Sequence, residues 1–61
     1  MDKDLEMYKN AITKHLKYKH NLSNEEIEKL IIEYNIDEIA KNSPNHFYYE
    51  SPQYWAEFLI S

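Results

Sequence analysis

The chain has 61 residues, a formal net charge of −4 at pH 7, and 15% aromatic side chains. It contains no cysteine, glycine or arginine, which excludes disulfide bonds, thiolate metal sites and a glycine-rich phosphate loop. A chain of this length makes one small helical domain, residues 1–61, whose core would be only marginally stable without a partner or very good packing.

Residues 4–19 are predicted to form a first helix. Apolar and aromatic side chains recur there at steps of three and four residues, which places one stripe on a helix. The stripe consists of Leu5, Tyr8, Ala11, Ile12, His15 and Leu16. Because His15 belongs to this stripe, we interpret it as a core or boundary histidine rather than a ligand.

The stretch HNLSNEEI predicts a tight turn between two helices. Asn21 is suited to the left-handed conformation that ends a helix where glycine is absent. Ser23 and Glu26 have the spacing of a capping box. Leu22 and Ile27, before and after the cap, have the spacing of a hydrophobic staple. These signals together predict a helical hairpin.

The second helix is predicted over residues 24–41 and carries two apolar faces. At about 100° per residue, one face holds Ile27, Leu30, Ile31 and Tyr34, and the other holds Ile32, Ile36 and Ile39. One neighbouring helix cannot cover both faces, so this helix is either sandwiched within the fold or shared with another chain. A break near YNID is a further alternative, because Asn35 and Asp37 are weak helix formers.

Residues 41–50 are predicted to be a connecting loop, in which Pro44 disfavours a helix at Ser43. Three consecutive aromatic rings follow within it: Phe47, Tyr48 and Tyr49. Successive side chains cannot all point inward, so at least one of these rings should be exposed. Tyrosine is enriched at the centres of protein interfaces, and this run is therefore a candidate contact surface.

A short last helix is predicted after the loop. Ser51 suits its N-cap, and Pro52 suits the first helical position. Trp55, Phe58 and Leu59 share one face, and we expect Trp55 and Phe58 in the core. The predicted fold is all-α: a helical hairpin, a loop and a short C-terminal helix, together a three-helix mini-domain.

Catalytic and metal-binding patterns are weak. The only histidines are His15, His20 and His46, and the first two are five residues apart rather than the four of a helical metal pair. Neither a nucleophile elbow nor a phosphate loop is present. The many carboxylates of the second helix are interpreted as a solvated surface. We therefore expect no enzymatic activity, no cofactor and no metal.

Nucleic-acid binding is a third-ranked alternative. Residues 9–20 form a basic patch without an acidic residue, comprising Lys9, Lys14, Lys17 and Lys19. The negative net charge opposes phosphate contacts, and arginine, the main reader of guanine, is absent. An acidic second helix would also be repelled from a DNA groove. We interpret the lysines as surface partners of that acidic helix.

Targeting segments are not predicted. The N-terminal residues are charged and lack the apolar run of a signal peptide. No segment approaches the ~18 consecutive apolar residues of a membrane span. We therefore expect a cytoplasmic protein that does not enter a membrane.

Three stretches carry a resemblance to known proteins: YKNAITKHL, LSNEEIEKLI and SPQYWAEFLI. With them the chain resembles the small helical proteins of low-GC Gram-positive bacteria and their phages. The shared features specify helix ends and cores, so the resemblance assigns no site residue. Acidic phage proteins of this size include inhibitors that occupy nucleic-acid-binding surfaces, and the resemblance implies such an inhibitor as one alternative.

The expected function is a non-enzymatic protein–protein interaction module, with a homodimer as its most natural form. Soluble monomers avoid an exposed apolar strip, and two-fold dimers are the commonest oligomers. The residues expected to contact the partner are Ile32, Ile36, Ile39, Phe47, Tyr48 and Tyr49. In the inhibitor alternative, an acidic face faces a basic surface of the partner, and that face comprises Glu25, Glu26, Glu33 and Asp37.

Overall fold

The computed structural model describes residues 3–61. Five helices follow one another along the chain: α1 (Lys3–His20), α2 (Asn24–Glu33), α3 (Ile36–Asn42), α4 (Pro44–Tyr49) and α5 (Pro52–Ile60). No strand occurs within these residues, so the prediction of an all-α fold is confirmed. The structure has five helices rather than the predicted three. The predicted second helix is divided into α2 and α3, and the predicted loop contains α4.

The hairpin between α1 and α2 forms as predicted. Asn21 is left-handed, with φ of 58°, and the N–H of Leu22 donates to the Leu16 carbonyl at 3.3 Å. The Ser23 hydroxyl accepts from the Glu26 N–H at 3.2 Å. The Glu26 carboxylate in turn accepts from the Ser23 N–H at 2.9 Å, which completes the capping box.

The predicted second helix is broken between α2 and α3. Asn35 is left-handed, with φ of 54° and ψ of 46°, a conformation that asparagine tolerates. Its N–H donates to the Ile32 carbonyl at 3.1 Å, and its carbonyl accepts from the Ile39 N–H at 3.0 Å. One continuous helix over residues 24–41 is therefore wrong, and the alternative of a break near YNID is confirmed.

The predicted loop over residues 41–50 is also wrong, because most of it is helix α4. Pro44 occupies the start of this helix, where its missing N–H has no hydrogen bond to lose. The N–H of Phe47 donates to the Ser43 carbonyl at 2.9 Å and closes the first turn. Pro44 thus starts a new helix instead of marking a loop.

Helix α5 begins as predicted. The Ser51 hydroxyl accepts from the N–H of Tyr54 at 3.2 Å, and Pro52 takes the first helical position. These two local features define where the helix starts, independently of what it packs against.

Two side-chain hydrogen bonds hold α4 and the turn after it in place. The indole N–H of Trp55 donates to the Phe47 carbonyl at 2.9 Å in the interior. The Tyr8 hydroxyl shares its proton between the carbonyls of Tyr48, at 3.1 Å, and Glu50, at 3.2 Å. Both bonds join residues of different helices or turns, so they orient α4 between α1 and α5.

One hydrophobic core receives side chains from all five helices. Its buried residues are Ile12, Leu16, Ile27, Ile31, Ile36, Ala40, Phe47, Trp55, Ala56 and Leu59. Helix α1 packs mainly along α5 and also contacts α2, and α3 packs against α2 and α4. Among the helices described here, none combines the length and the apolarity that crossing a bilayer would require.

Candidate functional site

The three isoleucines expected to form an exposed strip are dispersed. Ile36 is 0% exposed, whereas Ile32 is 67% exposed. Ile39 is partly buried against the core. The expectation of a continuous strip is therefore wrong, because the left-handed residue Asn35 redirects α3 and turns Ile36 inward.

The aromatic run of α4 is divided between core and surface. Phe47 is fully buried, Tyr48 is partly buried and Tyr49 is exposed. The prediction that at least one ring is exposed is confirmed. The assignment of Phe47 to a contact surface is wrong, because successive helical residues point about 100° apart and Phe47 is the one that faces the core.

An exposed aromatic surface lies instead beside the last helix. Tyr34, Tyr54 and Phe58 are 39%, 45% and 37% exposed, and we call these three residues the aromatic patch. The Phe58 ring lies 5.5 Å from that of Tyr34 and 5.5 Å from that of Trp55. The centroid of the Tyr54 ring lies 5.1 Å from that of Trp55. The buried indole therefore contacts both Tyr54 and Phe58 from below the surface.

The sequence predicts other places for two of the three patch residues. Phe58 is predicted in the core, and Tyr34 is predicted on one apolar face of the second helix. Tyr54 and Phe58 are four residues apart on α5, so they share a face that is distinct from that of Trp55 and Leu59. That four-residue spacing was the available sequence signal for the patch.

The surroundings of the patch carry little charge. Glu57 is the single charged side chain among the nine residues of α5. A depression of about 500 Å³ on this side of the molecule is lined by Gln53, Tyr54, Glu57, Phe58 and Ser61. This surface therefore differs from the highly charged outer sides of α1 and α2.

A second concave surface lies between α1, α2 and α3. This groove has a volume of about 490 Å³, and exposed Ile32 contributes to its wall. Two of its lining residues are paired, since the Lys9 ammonium lies 3.1 Å from the Asp37 carboxylate. Neither histidine nor cysteine is among the residues that line this groove.

The acidic face of the inhibitor alternative is partly engaged within the chain. Glu26 accepts the capping hydrogen bond, and Asp37 pairs with Lys9. Glu25 and Glu33 are exposed on α2. The Lys9–Asp37 pair also fits the interpretation of α1 lysines as partners of the acidic segment.

His15 and His20 converge on a residue from another helix. Their Nε2 atoms lie 2.8 Å and 2.9 Å from the same atom, Glu57 Oε2. Since a carboxylate only accepts hydrogen bonds, both imidazoles donate from Nε2. The five-residue spacing was treated as unsuitable for a shared site. The two rings nevertheless meet near the end of α1, with centroids 5.7 Å apart. We call these three residues the His–Glu–His cluster.

The cluster lowers the pKa of its carboxyl group, Glu57. Hydrogen bonds from His15 and then His20 reduce the pKa of Glu57 from 4.5 to about 2, with a smaller contribution from the positive charge that the imidazoles carry when protonated. Desolvation acts in the opposite direction. The carboxylate therefore stays ionised in the folded protein under all but strongly acidic conditions.

This pKa predicts a specific loss of stability in acid. The unfolded chain protonates Glu57 near pH 4.5 and the folded protein only near pH 2. The contribution of Glu57 to folding stability is thus fully present above pH 4.5 and disappears as the pH falls towards about 2. Measured by urea unfolding at several pH values, Glu57→Gln should lower stability at pH 6 but leave it nearly unchanged near pH 2.

The matched control is Glu25→Gln, which removes an exposed carboxylate from α2. It should not reproduce this pH-dependent difference from the wild type. An equal difference at every pH for Glu57→Gln would contradict the assigned role of the histidine hydrogen bonds.

No protein-family model, curated protein or solved structure matches the chain. The resemblance to small helical proteins of Gram-positive bacteria and phages stays a prediction.

Proposed function

We propose that the protein is a non-enzymatic interaction module that associates with a second copy of itself through the aromatic patch. The observation that carries this proposal is the set of three partly exposed rings, Tyr34, Tyr54 and Phe58, joined over the buried Trp55. Tyrosine and phenylalanine bury large areas on association, and tyrosine can still hydrogen-bond at the edge of a contact.

Charge favours this helix as the place where two copies meet. Each chain carries a net charge of −4, so most approaches of two copies are electrostatically unfavourable. Helix α5 has one charged residue, Glu57, and that carboxylate is already bonded by two imidazoles. Contact through α5 therefore brings few like charges together.

The spacing of the rings suits a two-fold axis. When two copies of α5 pack antiparallel, Tyr54 of one copy lies beside Phe58 of the other, and the reverse pair forms at the same time. Offset or edge-to-face pairs of this kind contribute about 0.5–1.5 kcal/mol each beyond the buried area. Tyr34 then lies at the side of the contact through its own packing on Phe58.

The expected association is weak, because the helix is short. Nine residues of α-helix extend over about 14 Å, and a contact of that length lies at the small end of specific interfaces. Dimerisation is therefore expected to depend on protein concentration in the micromolar to millimolar range rather than to be obligatory for folding.

Sedimentation equilibrium between about 10 µM and about 1 mM covers the range of such affinities. The wild type should move from the mass of one chain towards twice that mass as concentration rises. Phe58→Ser and Tyr54→Ser should each shift the midpoint to at least about tenfold higher concentration, because central aromatic residues dominate small interfaces.

Tyr18→Ser is the matched control, since Tyr18 is an exposed ring on α1 and does not belong to the patch. It should associate like the wild type. A wild type that stays monomeric throughout, or a control that dissociates as readily as Phe58→Ser, would contradict self-association through this patch. Circular dichroism of each variant verifies that the helices are retained.

A monomeric wild type would leave the inhibitor alternative to be tested. In that case, charge reversal at Glu25 and Glu33 should abolish binding to a basic partner, and that binding should weaken steeply with salt. Retention of DNA or RNA at moderate salt would instead favour the lysines of α1 as the contact surface.

A further inference from the structure

The His–Glu–His cluster has the composition and the compactness of a metal site. Its potential ligand atoms, one from each of His15, His20 and Glu57, all lie within 4.8 Å of one another. They come from two helices that pack along each other, α1 and α5. We infer that the cluster binds one Zn²⁺ ion, which joins the C-terminal end of α1 to the middle of α5.

Zinc binding requires the three ligand atoms to change their spacing. Zinc binds imidazole nitrogen and carboxylate oxygen at about 2.0–2.2 Å, so the ligand atoms of a tetrahedral ion are about 3.3 Å apart. The two nitrogen–oxygen distances here are 2.8 Å and 2.9 Å. The carboxylate oxygen has to move outward by about half an ångström, and the two imidazole nitrogens, which lie within 4.8 Å of one another, have to reach the same spacing of about 3.3 Å.

The protonation change is simple. In the hydrogen-bonded cluster each neutral imidazole carries its proton on Nε2 and donates a hydrogen bond from it to Glu57. When zinc binds Nε2, the proton of each ring occupies Nδ1, and the carboxylate is already ionised. Neutral imidazoles therefore release no net proton, whereas a protonated imidazole releases one.

The surroundings leave room for a fourth ligand. The side chains of His15, His20 and Glu57 are 15%, 30% and 50% exposed, so the cluster opens to solvent on the side of Glu57. Two histidines, one glutamate and a water molecule make a recognised zinc ligand set. Imidazole ligands disfavour Mg²⁺ and Ca²⁺, which require mostly oxygen ligands.

The test uses the full chain without a histidine affinity tag, freed of metal by a chelator and dialysed against Zn²⁺. The wild type should bind one ion per chain, and its melting temperature should rise with Zn²⁺ because the ion binds the folded state. His20→Gln and Glu57→Gln should each lower the zinc affinity by more than about tenfold, since each removes a direct ligand. Mg²⁺ should produce neither effect.

His46→Gln is the matched control, because His46 is the remaining histidine and lies on α4, against the edge of Trp55. It should bind zinc like the wild type. The inference is overturned if the wild type binds no zinc at about 100 µM free ion, far above the apparent dissociation constants of structural zinc sites. It is also overturned if His46→Gln loses as much affinity as His20→Gln. Glu57→Gln provides the second ligand variant if His20→Gln does not fold.

Discussion

Replacing Ile36 with glutamate is expected to unfold the protein. Ile36 is 0% exposed in the core, so the new carboxylate would be buried without a positive partner. The effective penalty for a buried ion is several kcal/mol, and a core of this size rarely supplies more than about 3–5 kcal/mol of stability. Far-ultraviolet circular dichroism should show the loss of helix at room temperature.

Ile32→Glu is the matched control, because it makes the same change four residues earlier at a side chain that is 67% exposed. It should retain helical structure and cooperative unfolding, with a change in stability within about 0.5 kcal/mol. Equal effects of the two substitutions would contradict the break at Asn35, since a continuous helix places both residues on one face.

The second large effect is expected at Phe47. This ring is fully buried and stacks on Trp55, with centroids 5.1 Å apart and an interplanar angle of 25°. It also contacts the rings of Tyr8, at 5.5 Å, and Tyr48, at 4.9 Å. Phe47→Ala should lower the free energy of unfolding by about 3–5 kcal/mol, the usual result of a large cavity in a core. Urea unfolding measures this directly.

Tyr49→Ala tests the same helix from its exposed side. It should change the free energy of unfolding by less than about 0.5 kcal/mol, apart from the small gain in helix propensity that alanine brings. A comparable loss for Phe47→Ala and Tyr49→Ala would mean that α4 is rotated about its axis relative to the arrangement described here.

Helix ends were the most predictable feature of this fold. The caps at Ser23 and Ser51 each depend on hydrogen bonds within four residues, so the local sequence contains all the necessary information. The left-handed residue Asn21 belongs to the same class. Such signals do not depend on how distant parts of the chain pack.

The division of the second helix was less predictable. Asn35 and Asp37 are weak helix formers, but many helices accommodate such residues, so composition alone did not decide between a continuous and a broken helix. The break is stabilised because it allows Ile36 and Ala40 to be buried in the core. That gain arises from tertiary packing and is absent from any short sequence window.

The aromatic patch and the His–Glu–His cluster were the hardest features to predict from the sequence, because each combines residues that are distant in the chain. Tyr34 meets Phe58 only when the end of α2 packs beside α5. In the same way, His15 and His20 converge because Glu57, on another helix, lies between their rings. The rule of four-residue spacing finds metal ligands that share one helix face. It does not find a cluster such as this one, in which a second helix supplies the third side chain.

We propose that two copies meet through the aromatic patch, and a dilution series monitored by amide chemical shifts is the sharpest test of this contact. With rising concentration, the signals of Tyr34, Tyr54 and Phe58 should move along one saturating curve, while those of Tyr18 and Tyr49 should stay fixed. Shifts that are absent throughout, or that centre on Ile32 or Tyr49, would contradict the claim.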